Sequence, residues 1–206
     1  YGLPKALLVG DLLIAKAFEI ASSSAIDSSI KSKWTLNLSN AISVAVRGAL
    51  CELDFKVAKT DNLFSRYLNM AYDKTGVMFT LPIRCVGQAS CLDTEEINKL
   101  TEVFAKFAVA YQIRDDEADY LGNKTGRATM SDILNDRPNL YYLLSKSEVH
   151  APDLFKHASN FHEKLIEEAE VGLEAFPNSL TLMIRELVLP FVKLTKSPDP
   201  SYNLAC

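Results

Sequence analysis

Apolar residues recur along this chain at three- and four-residue spacing, the period of an amphipathic helix, and nowhere in the sustained alternation of a strand. Leu8, Leu12, Ala15, Phe18 and Ile20 predict a first helix from residue 3 to about 21, closed by Ser22-Ser23-Ser24. Its apolar start is expected to be a buried helix, because Asp11 interrupts the run, Lys16 follows, and no uninterrupted span reaches transmembrane length. Leu38, Ile42, Ala45, Ala49 and Leu53 predict a second helix from roughly 34 to 58. Asp61 is placed to cap a third, carrying Leu63, Phe64, Tyr67, Leu68 and Ala71, which leads into Tyr72-Asp73-Lys74-Thr75-Gly76.

Pro82 is expected to kink or break a helix over 77–86 unless it sits in a first turn. Asp93 followed three residues later by Glu96 has the form of a capping box. Ile97, Leu100, Phe104, Phe107 and Tyr111 then trace one stripe of a central, buried helix over 93–120. A polar loop over 122–129, a short helix over 131–134 and another over 140–144, opened by Asp136-Arg137-Pro138-Asn139, come next. Pro152 and Asn178 start the last two helices, which run to about 173 and 189. The prediction is a single all-α domain over 1–206, a bundle of helices.

Composition narrows the partners. With 48% hydrophobic and 23% charged residues the chain has the make-up of a soluble globular protein. A net charge of −4, a pI near 5.4 and scattered Lys and Arg leave no basic footprint for nucleic acid. Cys51, Cys85, Cys91 and Cys206 form no C-x-x-C pair and no zinc or disulfide framework, which fits a reducing, cytoplasmic setting; with Cys206 as the last residue, no C-a-a-X box is expected. His150, His157 and His162 share a late helical region without a zinc-ligand pattern and are read as surface residues. A start at Tyr1 rather than Met is read as a processed or trimmed chain.

The chemistry concentrates in Tyr111-Gln112-Ile113-Arg114-Asp115-Asp116-Glu117-Ala118-Asp119-Tyr120. On a helix Gln112, Asp115, Asp116 and Asp119 fall at i, i+3, i+4 and i+7, on one face. Converging carboxylates repel one another unless a cation sits among them, and hard oxygens suit Mg²⁺, which keeps waters and shares substrate phosphates. Two readings stay open from spacing alone: a metal and diphosphate site, and a solvated acidic helix end.

This segment resembles the second aspartate-rich motif, F-Q-x-x-D-D-x-x-D, of the trans-isoprenyl diphosphate synthases, with Tyr111 in place of Phe. Three further segments are similar to that family's motifs and occur in its order. Leu8-Val9-Gly10-Asp11-Leu12-Leu13-Ile14-Ala15-Lys16-Ala17 resembles its A-G-D-x-L-x-x-x-A helix, and Lys74-Thr75-Gly76 its K-T-[AG] turn. Gly126, Arg127 and Asp132 resemble its G-K-x-x-G-x-D segment, with Met130 for the second glycine, while Asp136-Arg137-Pro138-Asn139 stands for G-K-x-T. In the family's G-Q-x-x-D, Cys51 takes the place of the Gln and Asp54 that of the acid. The first D-D-x-x-D motif and its paired arginines, upstream of the G-D helix in the family, have no counterpart, so the bundle is expected to be N-terminally incomplete.

The resemblance implies prenyl transfer, the condensation of isopentenyl diphosphate with an allylic diphosphate, assisted by Mg²⁺. It implies Asp115, Asp116 and Asp119 as metal ligands, with Asp116 acting directly or through water. Lys74, Thr75 and Gln112 become catalytic residues, and Lys74, Gln112, Arg127 and Arg137 substrate-binding ones. A homodimer or heterodimer is expected, and weak or absent activity for the 206-residue chain alone. The alternative is a non-catalytic subunit or degenerate homologue acting as a helical interaction protein.

Overall fold

The computed structural model describes residues 2–55, 63–124, 126, 128–135, 137–146 and 151–194. Among these, every regular element is a helix: α1 (Leu3–Ser23), α2 (Ser28–Leu53), α3 (Leu63–Ala71), a π-helical turn (Tyr72–Gly76), α4 (Val77–Ala89), α5 (Thr94–Tyr120), α6 (Ser131–Leu134), α7 (Leu140–Lys146), α8 (Ala151–Leu173) and α9 (Asn178–Val192). None of them is long and apolar enough to cross a membrane. Asp61, Arg127, Asp136, His150 and Cys206 lie outside the described residues.

The capping box forms at the start of α5: Asp93 Oδ1 accepts from Glu96 N at 2.8 Å, and Glu96 Oε2 accepts from Asp93 N at 3.1 Å. From there α5 runs through the middle of the bundle, packed on α4, α7, α8, α9 and the π-turn. Its predicted stripe is buried at Ile97, Leu100 and Phe107 and half-buried at Phe104. One core cluster joins Leu100, Val103 and Phe107 to Ile166, Leu173 and Ile184; the other joins Val109 and Ile113 to Tyr67, Leu140, Tyr141 and Leu154. The second cluster sits directly beneath the acidic end of α5.

Five expectations are corrected. Helix α2 begins at Ser28 behind Asp27, whose side chain accepts from Ser29 N, and ends at Leu53 with Asp54 as C-cap, earlier at both ends than the stripe suggested. Its innermost line is Ala41, Gly48 and Glu52, not the larger apolar residues, and Leu53 is exposed. Helix α1 is not buried: only Ala21 is, while Leu7, Leu8, Leu12 and Leu13 face outward, because its principal neighbour, α2, covers a single stripe. Helix α4 continues through Pro82, where packing on α2 and α5 outweighs one lost main-chain hydrogen bond. His162 is buried with its Nε2 2.6 Å from Val192 O, tying α8 to the end of α9, whereas His157 is exposed.

Gly48 fixes how α2 meets the π-turn. A Cβ there would stand 2.4 Å from Lys74 N and 2.8 Å from Asp73 C, main-chain atoms that cannot turn aside. Gly48→Ala is expected to cost about 1–3 kcal/mol by overpacking, more than the ~1 kcal/mol of helix propensity it gains. A lowered urea midpoint would register this; a raised one would show that the crossing opens freely.

Candidate functional site

Lys74 and Thr75 project from the π-turn, a local widening of the helix of the kind that commonly marks functional positions. Thr75 Oγ1 donates to Gln112 Oε1 at 2.9 Å, so two residues 37 apart in sequence meet between the π-turn and α5. Lys74 Nζ donates to Glu52 Oε1 at 2.6 Å. Sequence reasoning passed over Glu52 in favour of Asp54, which is exposed, as is Cys51. The available signal was spacing: Glu52 lies one helical turn past Gly48, on the face that the glycine opens to Lys74.

The carboxylates of α5 do not gather as one cluster. Successive helix positions point about 100° apart, and here Asp115 faces the rim while Asp116 faces the core. Asp116 is 1% exposed. Its Oδ2 accepts from Tyr67 OH and from Leu140 N, each at 2.8 Å, and its Oδ1 accepts from Gln112 Nε2 at 2.9 Å. Asn139 Nδ2 donates to its main-chain oxygen at 2.9 Å, while Asn139 Oδ1 caps α7 by accepting from Tyr141 N. Both Asp116 oxygens are thus engaged by protein donors, which makes it the hub that locks Gln112 and α7 in place. Burial pushes its carboxyl up to about 7, against the pull of these donors. Burial and the neighbouring Asp116 charge likewise raise the Tyr67 phenol well above its ordinary value.

Asp119 is also fully buried, its Oδ1 accepting from Ser131 Oγ at 2.7 Å and its Oδ2 from Asp132 N at 3.0 Å. These bonds follow from how α5 ends. Gly122, at φ +74°, lets Asn123 N reach Ala118 O at 2.8 Å and Gly122 N reach Asp119 O at 3.1 Å, a Schellman turn. Met130 N then returns to Asp119 O at 2.9 Å, with Met130 in the left-handed region at φ 57°, a conformation glycine adopts without strain. That places Asp132 beside the end of α5.

Lys124, unremarked in the sequence, is carried by this turn into the space between the carboxylates. Its Nζ lies 2.8 Å from Asp115 Oδ2, 3.7 Å from Asp132 Oδ2 and 4.0 Å from Asp119 Oδ1. Burial pulls the Lys124 ammonium down, but Asp115, Asp132 and Asp119 together outweigh it and leave its pKa raised. Burial raises Asp132, offset in part by Lys124 and by the more distant Lys74. Arg137 is exposed, anchored by its main-chain N to Asp132 O at 2.8 Å. Arg114, from the same helix, donates through Nη1 to Phe191 O.

Among the described residues no three His, Cys, Asp or Glu side chains stand ready-made as a metal cage. Mg²⁺ does not require one, since it binds through one or two carboxylates, waters and substrate phosphates. Asp115, whose side chain is 42% exposed, and Asp132 offer hard oxygens of that kind at the rim, so the donor set fits Mg²⁺.

The polyprenyl synthetase family model matches residues 1–170. The chain is 32% identical over 139 residues to a short chain isoprenyl diphosphate synthase of Methanocaldococcus jannaschii, covering 65% of this chain and 40% of that protein. It is 34% identical over 143 residues to a decaprenyl-diphosphate synthase of Dictyostelium discoideum, covering 66% and 29%. The chain therefore spans under half the length of each of these two relatives. A geranylgeranyl pyrophosphate synthetase of Pyrococcus horikoshii superimposes with a TM-score of 0.77 at 25% identity, over 93% of this chain and 67% of that one.

Proposed function

The chain belongs to the polyprenyl synthetase family, and from that premise we propose that it takes part in prenyl transfer, joining isopentenyl diphosphate to an allylic diphosphate. The observation that carries this reading is the Thr75–Gln112 pair, held between Lys74 on one side and the rim carboxylates of α5 on the other. Ionising an allylic diphosphate separates an anion from a carbocation, and preorganised charges aimed at each lower that barrier. Lys74 presents its ammonium to diphosphate oxygens. Gln112 Oε1 and Thr75 Oγ1 turn lone pairs toward the cation, and the Gln112 amide is held in that sense because its Nε2 is bound to Asp116. Mg²⁺, held by Asp115 and Asp132 with Asp119 alongside, would supply Lewis-acid neutralisation of the leaving group. Arg137, exposed beside Asp132, and Arg127 complete the phosphate contacts of the proposal.

The outward leucines of α1 form an apolar strip that suits a second copy or a related subunit. Free Cys51, Cys85 and Cys91 accord with the reducing cytoplasm.

Calorimetry with inorganic diphosphate tests the site. Heat is expected with Mg²⁺ and not in EDTA, and Asp115→Ala should weaken binding by about tenfold or more, as loss of a charged ligand does. Equal binding in EDTA would overturn the metal-assisted reading.

A further inference from the structure

Resting on the reading of the α5 end as a cation site, we infer that Lys124 is a tethered competitor for that site, its ammonium holding the place a divalent cation takes and setting how tightly one binds. Its Nζ is within 4.0 Å of oxygens from all three of Asp115, Asp119 and Asp132. The Lys124 side chain is only 13% exposed, so this is not a solvated surface pair.

The main chain delivers the ammonium there. The Schellman turn at Gly122 and Asn123 reverses the chain directly after α5 and brings Lys124 back over its last turn, while Met130 N bonds Asp119 O and sets Asp132 on the other side. Three carboxylates left without Lys124 would repel one another across a partly buried space; the ammonium relieves that repulsion whenever no metal is bound. A divalent ion arriving at the same oxygens meets a like charge a few ångströms away, at a separation where even near-surface screening leaves an interaction well above thermal energy. The two cations exclude each other, so Lys124 must swing out as the metal enters. The cost of breaking its contacts is then subtracted from metal affinity.

Mg²⁺ titrated into the full chain, at a fixed concentration of inorganic diphosphate, separates this from an ordinary ion pair. Lys124→Met, which keeps the apolar stem and removes the charge, is expected to lower the Mg²⁺ midpoint by about tenfold, the effect of one partly screened charge. Lys124→Arg, which keeps the charge, should stay near the wild-type value. Lys124→Gln serves as a second neutral variant should Lys124→Met fold poorly, with the far-ultraviolet circular dichroism of each checked first. An unchanged or raised midpoint in a folded neutral variant overturns the inference and leaves the cation site standing. Absence of Mg²⁺-dependent binding in every variant, wild type included, removes the site and the inference together.

Discussion

Replacing Asp116 by alanine is expected to cost about 3–5 kcal/mol of folding stability, because three buried donors lose their acceptor at about 1–3 kcal/mol each, partly offset by the desolvation of the carboxyl that is removed. Tyr67 OH, Gln112 Nε2 and Leu140 N would all lose their acceptor inside the core, and with it the link between α3, α5 and the start of α7. Against a total of roughly 5–15 kcal/mol this is a large share, and for a chain of this size it corresponds to a fall in melting temperature on the order of 10 °C. Thermal unfolding followed at 222 nm measures it. A change of a degree or two would show that the network has slack the geometry does not suggest.

The same residue gives the protein a pH dependence of definite sign. The Asp116 carboxyl titrates at about 7 when folded and near 3.8 when not, because burial penalises its charge. Between those values the native chain holds a proton that the unfolded chain has released, so stability falls as pH rises. The contribution is complete below the unfolded pKa and is lost as pH climbs through the folded one. His162 acts oppositely, since burial lowers its pKa and stabilises the neutral form as pH rises. Asp116→Asn removes only the carboxyl titration. The difference in urea stability between wild type and Asp116→Asn should therefore shift in favour of the variant from pH 5 to pH 8, and a constant difference would remove Asp116 as its source.

Which parts of this were legible beforehand follows from what a sequence encodes. The helical period, the capping box at Asp93 and Glu96, and the meeting of Lys74, Thr75 and Gln112 in one neighbourhood could be read, because each rests on local spacing or on an ordered set of motifs. Period alone does not say which stripe a neighbour covers. Hence α1 was expected inside and lies outside, and α2 turned inward its small residues, with Glu52 among them. Adjacent Asp115 and Asp116 look alike in a motif, yet one helical step sends one to the rim and the other to a Tyr67 hydroxyl. Lys124 was invisible because its position depends on a turn whose hydrogen bonds run back to Ala118 and Asp119. Met130 stands where the resembled motif has a glycine, and its positive φ supplies the physical reason for a glycine at that place.

Lys74→Met is expected to weaken Mg²⁺-dependent diphosphate binding by about ten- to a hundredfold, the measured span for hydrogen bonds to charged groups. An ammonium has three donors, and Glu52 Oε1 takes one at 2.6 Å. With the Lys74 side chain 32% exposed and that of Glu52 11%, the carboxylate is the buried anchor and the ammonium the accessible end. Glu52 thus fixes where the charge sits without consuming its remaining protons. Two consequences separate binding from mere structure. Glu52→Gln keeps the Lys74 charge and a neutral acceptor, so its loss of diphosphate affinity should be several times smaller than that of Lys74→Met. Stability should also separate Lys74→Met from Asp115→Ala: the first leaves Glu52 buried without its cation and costs about 1–3 kcal/mol, while the second removes a rim charge and costs less. Calorimetry and urea denaturation on the same four proteins, wild type included, read both quantities. Wild-type diphosphate affinity in a destabilised Lys74→Met would reduce Lys74 to a partner for Glu52 and move the phosphate grip to the arginines.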